Sequence, residues 1–185
     1  MRKSNAACIV ARRLNLSPGR VDALVASVSD AGLLPKAIGR HVVDLVPAEL
    51  ATLLLAAVAD RGLGVAGHSV REFSTLQSSS GETLHSALTN LLSHSPALQG
   101  AVTGSLVLRL EPASVALTIG GEHTRYGPEP PSEAPGRHVL IPGQTLAAIG
   151  LELAGSSRDE ADALVALARA SRALDLSAAF SKEPT

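Results

Sequence analysis

Glu82 and His85 stand at i, i+3, a spacing that sets two metal ligands on one helix face, and His94 follows nine residues after His85. A carboxylate-bridged metal centre needs further pairs of this kind on other helices, and the chain supplies none. His85 therefore reads as a solvent-facing side chain, and no metal is expected. His123 and His138 flank a proline-rich loop and are free to meet across it. Gly62-Leu63-Gly64-Val65-Ala66-Gly67 has the form G-x-G-x-x-G. A dinucleotide site needs a strand before that run and a helix opening within it. A helical pattern precedes this one, so it reads as a flexible linker. The single cysteine, Cys8, excludes an internal disulfide framework and a Cys-rich zinc site, and reads as a small apolar residue of a first helix. Ser78–Ser80 reads as linker and helix cap, and no serine stands in the Gly-x-Ser-x-Gly turn of a hydrolase nucleophile. No nucleophile, base and oxyanion donor assemble, so neither an enzyme nor a cofactor is expected.

Charge is more informative. The 185 residues hold 16 Lys+Arg and 17 Asp+Glu, a balance that argues against a general polyanion binder. The balance hides an asymmetry. Residues 1–40 carry Arg2, Lys3, Arg12, Arg13, Arg20, Lys36 and Arg40 against Asp22 and Asp30, a net of +5, while the remainder carries a net of −6. A basic N-terminal module thus precedes an acidic body. Hydrophobic residues make up 45% and charged residues 18%, enough apolar material for the core of one domain or two small ones. Aromatics are only 2% (Phe73, Tyr126 and Phe180), which argues against single-strand binding by base stacking. Arg12 and Arg13 interrupt the first apolar run before it reaches signal-peptide length. The longest apolar stretch, Leu50–Ala59, is too short to span a bilayer. The expectation is a cytoplasmic protein with no membrane partner.

Periodicity and caps place these residues on elements. Residues 5–14 read as a short helix with Ala6, Val10 and Leu14 on one face. Asn15 and Leu16 break it. Ser17 is an N-cap and Pro18 a first helical residue, followed by Val21, Leu24, Val25 and Val28 at helical spacing and by Gly32 as a stop. Leu33-Leu34 and His41–Leu45 fit two short strands around Lys36–Arg40. Pro47 opens a helix, Ala48–Asp60, apolar nearly all round and so buried. Ser69–Gln77 fits a short helix. Ser79-x-x-Glu82 and Ser157-x-x-Glu160 are capping boxes before helices built on Leu84, Leu88, Leu91 and Leu92, and on Ala161, Leu164, Val165 and Ala168. Between them the period drops to two. Leu106, Leu108 and Leu110, then Val115, Leu117 and Ile119, predict a hairpin around Glu111–Ser114. His138–Ile141 fits a third strand and Thr145–Leu153 a helix.

Residues 9–34, IVARRLNLSPGRVDALVASVSDAGLL, resemble without a gap the winged helix-turn-helix of MarR-like bacterial transcription regulators. The resemblance covers about the first 45 residues. Ala11 gives the small contact that two tightly crossing helices need, and Asn15 tolerates the positive φ of a sharp turn. The second helix would be the recognition helix, with Gly19, Arg20, Ala23 and Ser27 toward a major groove and free N–H groups after Ser17 toward a phosphate. Lys36, Arg40 and His41 stand where a wing tip would reach, and Arg12 and Arg13 complete the candidate DNA-binding set. Such regulators often carry Arg or Lys where this chain has Ala23 and Ser27, which leaves Arg20 as the only long basic side chain on that helix. The run AGLLPK before a Leu/Ala-rich helix also resembles prophage-borne regulators.

The expectation is an α+β protein. Residues 1–61 form a winged helix-turn-helix, 62–80 a linker, 81–176 an α/β unit with a β-hairpin for dimerisation or partner binding, and 177–185 a flexible tail. The expected function is a sequence-specific, nucleoid-associated regulator that binds double-stranded DNA as a homodimer, of phage or mobile-element type. The alternatives are a winged-helix protein–protein module and a phage DNA-packaging or replication accessory.

Overall fold

In the computed structural model of the chain, residues 1–36, 44–93, 95–129 and 136–180 are described, apart from the side chains of 95 and 174–180. The architecture is mixed α+β. Eight α-helices accompany one four-stranded antiparallel sheet among the described residues. None of those helices is long and apolar enough to cross a membrane.

Three helices stop by the same device. α1 (Lys3–Arg13), α2 (Pro18–Asp30) and α7 (Gly143–Leu153) each run into a residue with positive φ: Asn15 at 54°, Gly32 at 75° and Gly155 at 113°. The next N–H then reaches back to close the helix, Leu16 to Ala11 O (2.8 Å), Leu33 to Val28 O (3.1 Å) and Ser156 to Leu151 O (3.1 Å). The closure after α2 corrects one expectation. Leu33-Leu34 is not a strand, because the Leu33 N–H terminates α2 and Leu34 buries its side chain. Residues 37–43 lie outside the described residues, and with them Arg40, His41 and most of the second expected wing strand. Asp44 forms a single bridge to Arg2.

α3 (Pro47–Val58) is the hub. Leu50 through Val58 are all buried, and the helix packs on α1, α2, α4 (Ala66–Ser74) and α5 (Leu84–Ser93). Pro47 opens it, and the Glu49 carboxylate accepts the Val46 N–H at 2.9 Å. The expected linker 62–80 is a folded part of this packing. A 3-10 turn, Leu63–Val65, leads into α4, whose Val70 is 1% and Phe73 0% exposed. Gly67 serves close approach, since a Cβ there would lie 2.6 Å from Ala31 Cβ. One hydrophobic cluster runs unbroken from Ala6 through Phe73 to Leu153 and crosses the expected boundary between two units.

The hairpin forms as expected. β1 (Ser105–Arg109) pairs with β2 (Ser114–Ile119), Leu106 opposite Leu117 and Leu108 opposite Val115. β4 (His138–Pro142) pairs with β1, and β3 (Glu122–Tyr126), which the sequence did not suggest, pairs with β2, giving the order β3-β2-β1-β4. α6 (Ser95–Ala101) packs on β2, and α7 packs on β1 and β4. His123 on β3 and His138 on β4 therefore stand on opposite edge strands and do not meet.

Further local expectations are corrected by what their side chains touch. Thr83, not Ser79, caps α5, its Oγ1 accepting the Ser86 N–H at 3.2 Å. Glu82 instead hydrogen-bonds Tyr126, whose hydroxyl is pushed up to about 12 by burial and then by the Glu82 charge. His85 is half-buried rather than solvent-facing, its Nε2 3.0 Å from Ala48 O and 3.1 Å from Thr52 Oγ1. Cys8 lies on the exposed side of α1. The Ser157–Glu160 capping box forms, with the Ser157 N–H donating to Glu160 Oε2 at 2.8 Å. It opens α8 (Arg158–Phe180), which takes in residues 177–180 of the expected tail. His94 and residues 181–185 lie outside the described residues.

If residues 62–80 are core and not spacer, Phe73→Ala costs about 3–5 kcal/mol in urea unfolding. A cost below about 1 kcal/mol, the range of a surface site, would contradict this packing.

Candidate nucleic-acid interface

α1 and α2 meet in a tight turn through Asn15. The Ser17 Oγ accepts the Arg20 N–H at 3.2 Å, so Ser17 acts as the N-cap of α2. Gly19 is exposed, and a Cβ added there would meet nothing within 4 Å. The first turn of α2 is therefore open, as a helix that approaches a ligand end-on requires.

The cations do not share that openness. Arg20 turns back along the protein. Its Nε and Nη2 each donate to Asp60 at 2.7 Å, a bidentate pair with a carboxylate just past α3. Burial pushes the Asp60 carboxyl up, but the Arg20 guanidinium and the Gly62 N–H at 2.8 Å outweigh it and hold the group below its ordinary value. The same hydrogen bonds raise Arg20 above its own. Ser27 Oγ donates to Leu63 O at 2.8 Å, and Ala23 between them is half-buried. The face carrying Arg20, Ala23 and Ser27 thus rests against residues 60–63. The exposed positions of α2 are Pro18, Gly19, Asp22, Ala26 and Asp30, so its free face is acidic.

The flanking cations are likewise paired. Lys36 Nζ lies 2.9 Å from Asp30, both side chains exposed. Arg12 and Arg13 clasp Glu152 of α7, one on each carboxylate oxygen. Glu152 is 4% exposed, and Arg13 also donates to Asp162 of α8 at 2.6 Å. Burial disfavours the Arg13 charge, but Asp162 and Glu152 outweigh it and raise its pKa. These arginines fasten α1 to α7 and α8.

The structure therefore brings Arg12 and Arg13 together at one place, and Ser17, Gly19, Arg20, Ala23 and Ser27 along another. It does not gather them into one cationic surface. Sequence reasoning missed Asp60, Glu152 and Asp162, the residues that decide this. They lie 40, about 140 and 149 residues from their partners, and no local spacing signals them. Among the described residues no group of three or more His, Cys, Asp or Glu is placed to hold a metal.

Asp60 supplies a pH test. Its folded pKa is depressed, so its contribution is complete above the ordinary carboxylate range and disappears as pH falls through the folded value. The parent should exceed Asp60→Asn in stability at neutral pH, and the margin should shrink below about pH 4. Urea midpoints measured from pH 7 to pH 2 check this, and a margin independent of pH would contradict the pairing.

Comparison with protein-family models, curated proteins and solved structures gave no match.

Proposed function

We propose that this protein works through protein contacts, as a helix-turn-helix module that docks on a protein partner and forms a homodimer. The observation that carries this reading is electrostatic. All four described cations of the candidate DNA face are ion-paired within the chain: Arg12 and Arg13 with Glu152, Arg20 with Asp60, and Lys36 with Asp30. The exposed side of α2 offers Asp22 and Asp30. Duplex binding draws on cations free to replace the counterions of phosphates. Here each would first have to leave a carboxylate, and the uncovered carboxylates would then repel the backbone.

The second reading is a sequence-specific DNA-binding transcription regulator of phage or mobile-element type. The turn geometry favours it: Asn15 at φ 54°, the Ser17 cap and the open Gly19 are what an end-on approach to a groove needs. A DNA-packaging or replication accessory draws on the same features without promoter specificity.

One titration separates these readings. Fluorescence anisotropy with duplexes enriched from a randomised pool, in about 150 mM salt, should show no binding tighter than roughly 10⁻⁶ M, the range of non-specific association. Tighter binding with a steep salt dependence, weakened about tenfold by Arg20→Ala, would overturn the proposal in favour of a DNA reader.

A further inference from the structure

A groove of about 650 Å³ opens in the C-terminal half between α6 and α8, which both pack on α7. Side-chain size explains the opening. Ala161, Val165, Ala168 and Arg172 follow i, i+4, i+7, i+11, a single stripe along α8. Val165 joins Val102, Ala147 and Ala148 in a small hydrophobic cluster separate from the main core, and Ala168 packs against it. Alanines on both helices let α7 and α8 lie close together and fill little of the space toward α6.

The groove is apolar for most of its length and polar at one end. Leu98, Val102, Ala147 and Leu151 floor it, and the exposed Leu164 and Leu167 form one lip. Among the described residues that line it, Arg172 alone is ionisable. Its guanidinium lies beside Gly120, in the turn between β2 and β3, with Nη2 3.8 Å from where a Cβ on that glycine would be. Gly120 donates its N–H to Gly100 O at 2.8 Å, so Gln99 and Gly100 of α6 stand at this same end of the groove, with Ser171. Arg172 is exposed and makes no ion pair or hydrogen bond among the described residues.

We infer that this groove binds a straight-chain alkyl carboxylate, its chain along the leucines and its head group on Arg172. The inference goes beyond the proposed function and does not depend on it. The lone cation selects an anion, because a guanidinium and a carboxylate form paired, charge-assisted hydrogen bonds. The apolar remainder selects a hydrocarbon over a sugar or a nucleotide, whose polar groups would lie unpaired against Leu98 and Val102. Length selects a medium chain. α8 rises about 12 Å from Leu164 to Arg172, the span of an extended decanoate. The volume also falls among those of small-molecule sites, about 300–1,000 Å³.

Isothermal titration calorimetry of the full chain with decanoate tests this, against decylammonium, the same chain with the opposite charge. Decanoate should bind once per chain with a Kd of about 100 μM or tighter, and decylammonium at least ~10-fold more weakly. Arg172→Glu, at an exposed side chain, should reverse that order at an unchanged melting temperature, with decylammonium becoming the tighter ligand. Leu164→Ser with Leu167→Ser, at two exposed sites, removes one apolar lip and should weaken decanoate about tenfold. A chain that binds no decanoate up to about 1 mM, that takes both amphiphiles equally, or that keeps its preference in Arg172→Glu would overturn the site. So would decanoate binding that survives the two leucine changes. A groove filled by a second copy would overturn it as well, and would show as a dimer that the leucine changes dissociate and decanoate does not.

Discussion

The arrangement depends on a buried carboxylate. Glu152 is 4% exposed and receives Arg12 and Arg13 from the end of α1, some 140 residues away. An unpaired carboxylate at that depth is expensive, so its two partners are held where it needs them. That fixes α1 on α7, and α7 in turn packs on β1 and β4. Asp162 extends the contact to α8 through Arg13. The basic N-terminal segment and the acidic remainder are thus complementary parts of one fold. Of the seven cations of residues 1–40, Arg12, Arg13 and Arg20 are paired with carboxylates of the remainder.

The functional consequence follows from what these pairs leave outside. α2 keeps its open N-terminal turn but turns Arg20 and Ser27 toward residues 60–63 and shows acids to solvent. α8 packs on α7 and leaves Leu164 and Leu167 exposed. Among the described residues, the exposed face of α2 shows Asp22 and Asp30 rather than a cation.

Local structure was legible where a residue type carries its own geometric reason. Asn15 and Gly32 mark helix ends because they tolerate positive φ, Ser17-Pro18 marks a start, and Ser157 with Glu160 caps reciprocally. The period-two runs through Leu106 and Leu108 and through Val115 and Leu117 marked the hairpin. β3 was not legible because Glu-His-Thr-Arg-Tyr has a single inward apolar residue, Tyr126, and so no alternation to read. The helix expected over Ser69–Gln77 forms as α4 but starts three residues earlier, at Ala66, because Gly64 and Gly67 read as flexibility, whereas Gly67 allows two segments to touch. The candidate site was legible in its turn and cap but not in its electrostatics. Whether an arginine is available depends on carboxylates distant in sequence, and only the fold places Asp60 and Glu152.

The most direct measurement is a mutant cycle on the buried carboxylate. Unfolding free energies are compared for the parent, Glu152→Gln, the pair Arg12→Gln with Arg13→Gln, and all three together. If these charges hold the fold together, Arg12→Gln with Arg13→Gln leaves the buried Glu152 carboxylate without its two partners, and Glu152→Gln leaves Arg13 with Asp162 alone. The triple variant should then be more stable than the sum of the separate losses predicts, by more than about 1.5 kcal/mol. Losses that add to within about 0.5 kcal/mol would mean that the arginines and Glu152 act independently, and would contradict this account.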